Sequence, residues 1–305
     1  MKFRHFFALT LGPAFVPVVA ALALSTASQA ELVFKDDSGR EVRLKAPAKR
    51  IITLAPHAAE SLYAAGGGDK LVGTVDYSDY PPEAKKVPRV GGYSRVDLEA
   101  VAALKPDLVI AWESGNNMTQ IDQLKALGLA VYVFQPNQME DVAGQLERLG
   151  QLAGTESIAN PAAERFRQRL NGLRKANADK AKVRVFYQIW KTPLMTVGGP
   201  QIISDAIRLC SGENVFGQLK QMAPTVNVEA VLEADPEAIV ATGMGDARPE
   251  WLSDWDKWTR LTAVKRGNMF HINPDIMQRH TPRILDGAEQ LCAHLDVARS
   301  HRPAK

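Results

Sequence analysis

Apolar residues in this chain fall mainly into short unbroken runs, and the stretches between them carry helical spacing. Leu32-Val33-Phe34 and Val42-Arg43-Leu44 flank Asp37-Ser38-Gly39, the pattern of a hairpin closed by a tight turn. Ile51-Ile52-Thr53-Leu54-Ala55 reads as a buried strand stopped by Pro56. His57 to Ala65 reads as a helix stopped by Gly66-Gly67-Gly68, and Leu71 to Val75 as the next strand. A loop from Asp76 to Arg95 follows, then a helix from Asp97, a strand from Leu108 to Trp112, a helix from Ile121 to Leu127 and a strand from Ala130 to Phe134. Apolar strands alternating with helices predict a parallel sheet covered on both faces.

The middle of the chain differs. Asn160-Pro161 has the form of a helix start, a capping side chain followed by Pro. From there to about Lys180 the composition is rich in Ala, Arg, Gln, Glu and Lys, with Phe166, Leu170 and Leu173 at helical spacing. Val183 to Gln188 then opens a second run of strands and helices that continues through Ala238 to Thr242 and Met269 to Ile272.

The second half repeats a phrase of the first. Asp97-Leu98-Glu99-Ala100-Val101, running through Lys105-Pro106-Asp107 into Leu108 to Ala111, aligns without a gap on Asn227-Val228-Glu229-Ala230-Val231, Asp235-Pro236-Glu237 and Ala238 to Ala241. Gly67 to Gly73 aligns more loosely on Ser211 to Gly217. The repeat is far longer than the roughly 20–50 residues of a solenoid, and predicts two lobes of like construction with one cleft between them. The expected organisation is α/β: residues 31–155 as one lobe, 156–182 as a connecting helix and 183–305 as a second lobe.

The N-terminus changes the picture of charge and compartment. Basic Lys2, Arg4 and His5, an apolar run from Phe6 to Leu24 and Ser28-Gln29-Ala30 before Glu31 read as a secretory signal over residues 1–30. Its removal takes away two cations, Lys2 and Arg4, and no acid, lowering the formal net charge from +3 to +1. Such a near-neutral chain, without a basic stripe, gives no support for nucleic-acid binding. Two cysteines, Cys210 and Cys292, suit one disulfide in an exported protein; two unpaired buried thiols are the other reading.

Enzyme signatures are missing: the sequence has no Gly-x-Ser-x-Gly, Walker, His-Glu-x-x-His or Cys-x-x-Cys motif, and its six histidines include no close pair. No cofactor or metal is expected, and the expected mechanism is binding rather than catalysis. Aromatic residues gather instead at strand ends, where open α/β sheets bind ligands: Tyr77, Tyr80 and Tyr93 in one loop, Trp112 and Trp190 just past their strands. Flat apolar side chains there suit a large planar ligand. Glu99 and Glu229 hold equivalent places in the first turns of two short helices. There they complement the helix dipole and offer matched anionic points to a two-fold partner.

On Val75-Asp76-Tyr77-Ser78-Asp79-Tyr80-Pro81-Pro82, Leu104-Lys105-Pro106-Asp107-Leu108-Val109-Ile110-Ala111-Trp112, Cys210 to Phe216 and Thr281-Pro282-Arg283-Ile284, the chain resembles the substrate-binding proteins of ABC importers. The similarity is to the class with two Rossmann-like lobes joined by one long helix, which serves cobalamin, haem and ferric siderophores, and within it to the vitamin B12-binding proteins. It covers nearly all of the chain after residue 30. The resemblance implies a periplasmic monomer that carries cobalamin or a related corrinoid to an ABC permease dimer at the inner membrane. It implies that Tyr77 and the segment Asp275, Ile276, Met277, Gln278 and Arg279 contact the ligand; Tyr93, Trp112 and Trp190 are expected to join them from their places at the strand ends. It further implies that Glu99 and Glu229 engage permease arginines and that Cys210 pairs with Cys292. The family carries Trp where this chain has Tyr93 and near Ala223, and Asp-Trp-Phe-Glu-Arg where this chain has Asp275 to Arg279, so the cleft is expected to be less aromatic. The alternatives are a haem carrier of the same class, with Tyr77, Tyr93 or His57 as axial ligand, a siderophore carrier, and, more remotely, an exported enzyme with its active site in the cleft.

Overall fold

Strands β1 (Leu32–Lys35) and β2 (Glu41–Leu44) pair antiparallel, with Leu32 opposite Leu44 and Phe34 opposite Val42. The turn between them needs Gly39, whose φ of +82° is open to glycine at little cost. The structure is a computed structural model that describes residues 1–2, 31–243 and 247–303; apart from its first two residues, the signal segment expected over residues 1–30 lies outside the described residues. The chain continues through β3 (Ile51–Thr53), α1 (Pro56–Ala64) and β4 (Leu71–Thr74) to a short ribbon, β5 (Gly91–Gly92) and β6 (Arg95–Val96). Then come α2 (Leu98–Ala103), β7 (Leu108–Trp112), α3 (Met118–Ala126), β8 (Val131–Phe134), α4 (Met139–Ala153) and the long α5 (Glu156–Asn177). The second half comprises β9 (Val183–Trp190), β10 (Met195–Thr196), α6 (Ile202–Leu209), β11 (Gly212–Asn214) and α7 (Val228–Ala234). It ends with β12 (Ala238–Ala241), α8 (Thr262–Lys265), β13 (Met269–His271), α9 (Pro274–Met277) and α10 (Ile284–Ser300).

Besides these two-stranded ribbons, the described residues form two larger sheets with one topology. The first has the order β4-β3-β7-β8, all parallel. In the second, β11, β9, β12 and β13 lie in the matching order and are parallel, with β10 added antiparallel to the far end of β9. The repeated phrase in the sequence therefore marks equivalent α2–β7 and α7–β12 units, and the likeness extends to their fastenings. Asp97 and Asn227 cap α2 and α7 with their side chains. Lys105 and Asp235, each before a Pro, adopt φ of +47° and +37°. Arg50 donates to the carbonyl of Leu104, and Arg184 to that of Ala234. Asp107 accepts from the Arg50 amide as Glu237 accepts from the Arg184 amide.

Side chains alternate along each strand, which divides the interior into three parts. Ile51, Leu108, Ile110, Tyr132 and Phe134 face one core that also takes Val183, Val185, Tyr187 and Val240 from the second sheet. Ile52, Val109, Ala111 and Val133 face a second core, and Phe186, Ile239 and Ala241 a third. This is the period-two pattern of strands buried on both faces. The shared core lies beneath α1, α4, α6 and α10, and α5 runs across it. Arg167 on α5 pairs with Glu147 of α4, while Arg169 pairs with Asp286 and Glu289 of α10, so one helix is fastened to both lobes.

That helix begins at Glu156, where the connecting segment was expected to start, and runs through the Asn160-Pro161 start signal. Pro161 lies inside α5 rather than at its first position. The cause is packing against α4, since Ala159 sits so close to Gly150 that an added Cβ there would lie 2.3 Å from the Ala159 methyl. Thr155 holds the turn into α5 by donating to the Ala65 carbonyl at 2.7 Å. Cys210, at the end of α6, is disulfide-bonded to Cys292 of α10. Among the described residues, no helix is long and apolar enough to cross a membrane.

Candidate functional site

In a sheet of this order, the first and third strands lead their following helices to opposite faces, which opens a crevice at their carboxyl ends. Both sheets place tryptophan there. Trp112 ends β7 and Trp190 ends β9, and together with Tyr93 they line a cleft of about 390 Å³ between the lobes. Asn116 fixes the first wall. Its Oδ1 accepts from the Trp112 amide at 2.6 Å, while its Nδ2 donates to the carbonyls of Leu54 and Tyr93 at 2.8 and 2.7 Å. Gly115 is required beneath the indole, because a Cβ would fall 1.9 Å from the ring.

The loop carrying Tyr77 is anchored by buried hydroxyls: Thr53 and Thr74 lie 2.8 Å apart, and Thr74 donates to Ser78 at 2.8 Å. Tyr77 itself is 71% exposed and has a φ of +63°. It stands outside the cleft lining, and its backbone carbonyl faces Arg279 Nη2 at 3.4 Å.

The segment 275–279 divides by environment. Gln278 lines the cleft and donates to Thr242 Oγ1 at 2.5 Å. Met277 is fully buried in the shared core, and the half-buried Ile276 packs against that core. The short α9 explains the difference, because its turn points successive side chains in different directions. Asp275 is paired with Arg279 at 3.0 Å, and Arg279 reaches Asp79 on the opposite lobe at 2.7 Å. Burial alone would raise the Asp79 carboxyl, but the hydrogen bond and charge of Arg279 hold it below the usual range.

Behind this bridge lies an acid that no motif in the sequence marks. Glu60 on α1 is buried and accepts from Thr281 Oγ1 at 2.7 Å and from Arg283 Nε and Nη2 at 2.6 Å each. Its signal in the sequence is one carboxylate in a helix otherwise built to be buried. Arg283 also stacks on the Tyr80 ring, 3.7 Å from its centroid, which gives Tyr80 a structural task.

Two histidines distant in sequence meet under the cleft. The rings of His57 and His280 lie 5.3 Å apart, and Trp112 stands 4.7 Å from the first and 6.0 Å from the second. Burial depresses both imidazoles; His280 falls to about 4, and His57 is lowered further by its neighbours His280 and Arg279. His57 Nε2, Trp112 Nε1 and His280 Nδ1 have no hydrogen-bond partner within the protein. The cleft also takes Gln201 and Met195, neither of which the sequence reading included.

Glu99 and Glu229 are both exposed in the first turns of α2 and α7. Among the described residues, no group of three or more His, Cys, Asp or Glu is placed to hold a metal ion.

A family model for periplasmic binding proteins matches residues 51–276. The vitamin B12-binding protein of Vibrio cholerae is 38% identical over 252 residues, 83% of this chain and 91% of that protein. The crystal structure of a periplasmic vitamin B12-binding protein of Vibrio cholerae superposes with a TM-score of 0.77 at 37% identity, covering 83% of this chain and 98% of that one. A periplasmic haem-binding protein from Pseudomonas aeruginosa shares the fold, with a TM-score of 0.70 at 24% identity over 85% of this chain and 95% of that one.

Proposed function

The chain belongs to the periplasmic binding protein family, and from that premise we propose that it captures cobalamin or a related corrinoid in the periplasm and delivers it to an ABC permease. The observation that carries this reading is the cleft itself, walled by Tyr93, Trp112 and Trp190 at the strand ends of two matched lobes. Relatives named vitamin B12-binding proteins support the choice of ligand.

The chain's task is binding, and no bond is made or broken in it. Covering roughly 300 Å² of apolar ligand surface contributes about 7 kcal/mol before the cost of association. The aromatic walls provide that area with few rotatable bonds to immobilise. Tyr77, exposed beside the cleft, completes the ligand's surroundings when the corrin is seated. Glu99 and Glu229 stand free of the cleft on equivalent helices and present two carboxylates to arginines of a two-fold permease.

Titration of the exported chain with cyanocobalamin, followed by heat and absorbance, tests the proposal, with haemin in parallel. Saturable one-to-one cobalamin binding is expected. A shifted haem Soret band with no cobalamin binding would overturn the choice of ligand and leave the carrier role in place.

A further inference from the structure

Among the described residues, not one Asp, Glu, Lys or Arg lines the cleft, although 23% of the chain is charged. Its polar surface comes from neutral groups: Tyr93 and Ser114 on one wall, Gln201, Gln278 and His280 on the other. Two arginines beside it are already committed. Arg279 and Arg283, on either side of His280, are paired with Asp79, Asp275 and Glu60. His280 is buried without an acid partner, and Trp112 and His280 each keep a ring nitrogen that meets no protein acceptor or donor.

We infer that this cleft selects its ligand by neutrality, through Ser114, Gln201, Gln278, His280 and Trp112, and takes a macrocycle edged with carboxamides while rejecting one edged with carboxylates. This rests on the corrinoid reading above. An amide both donates and accepts, so it matches glutamine, hydroxyl and indole groups. A carboxylate only accepts, and on entering it would leave water without a cation to compensate it. The paired arginines cannot supply that cation without abandoning Glu60 or Asp79. The same property sets the site against the two propionates of haem.

The test compares cyanocobalamin with a corrinoid whose side-chain amides have been hydrolysed to carboxylates, on the full exported chain and on Ser114→Arg. Ser114 is exposed on the wall, so the substitution adds a cation without disturbing the core. The native chain should bind cyanocobalamin about 100-fold more tightly than the hydrolysed corrinoid, and Ser114→Arg should narrow that ratio by about tenfold. Equal affinities for the two corrinoids, or a ratio unmoved by Ser114→Arg, would overturn the inference while leaving the corrinoid reading intact. Failure of cyanocobalamin to bind at all would overturn both.

Discussion

Glu60 and Arg283 are joined by two hydrogen bonds of 2.6 Å across the boundary between the lobes. Glu60 is 3% exposed, so this pair is an internal fastening rather than a surface contact. Removing one partner strands the other's charge in the interior. Glu60→Ala should cost about 3–5 kcal/mol. Glu60→Ala with Arg283→Met should recover much of that loss. By contrast, Lys191→Ala breaks an ion pair half exposed on both sides, and should cost no more than about 1 kcal/mol. Denaturant melts of Glu60→Ala, Arg283→Met, their double variant and Lys191→Ala would settle the contrast; additive losses in the double variant would show that the two side chains do not act as a pair.

The Cys210–Cys292 bond closes a separation of 82 residues and ties α6 to α10. Replacing both cysteines with Ser should lower stability by about 2–4 kcal/mol, and a reducing agent should move the melting temperature of the native chain but not of the variant.

His280 and His57 set the response to acid. Both have folded-state pKa values below the ordinary 6.5, so the unfolded chain takes up their protons first. Their neutral forms permit full stability above pH 6.5, and stability falls as the pH drops from there toward 4. By pH 4.5, His280 alone should cost roughly 2–3 kcal/mol relative to neutral pH. A His280→Gln variant should show a shallower decline in melting temperature between pH 6.5 and 4.5; an unchanged slope would rule out this source.

Tyr77 and Met277 both belong to the expected ligand-contacting set and lie in opposite environments. Tyr77→Ala should weaken ligand binding by about tenfold and leave the melt unchanged. Met277→Ala should do the reverse and cost about 2–4 kcal/mol of stability through the cavity it leaves. Calorimetry on both variants separates the two effects.

The docking assignment predicts a split between binding and transport. Glu99→Arg with Glu229→Arg should leave affinity for cobalamin within about twofold and abolish permease-dependent uptake. Loss of affinity in that double variant would move these carboxylates to the ligand instead.

Much of this architecture was legible in the sequence because it rests on local rules. Alternating burial, glycine and proline stops and the repeated α–β phrase depend on neighbours a few residues apart, and they placed the strands, the two-lobe plan and the aromatic strand ends. Only the tertiary structure decided what depends on distant neighbours. The place of Pro161 inside α5 goes with the contact between Gly150 and Ala159. The pairing of Glu60 with Arg283 joins residues 223 positions apart, and His57 meets His280 under Trp112 from the other half of the chain. Local sequence fixes which way a strand or helix tends to run, but a buried charge or an unpartnered ring nitrogen acquires meaning only from what folding brings against it.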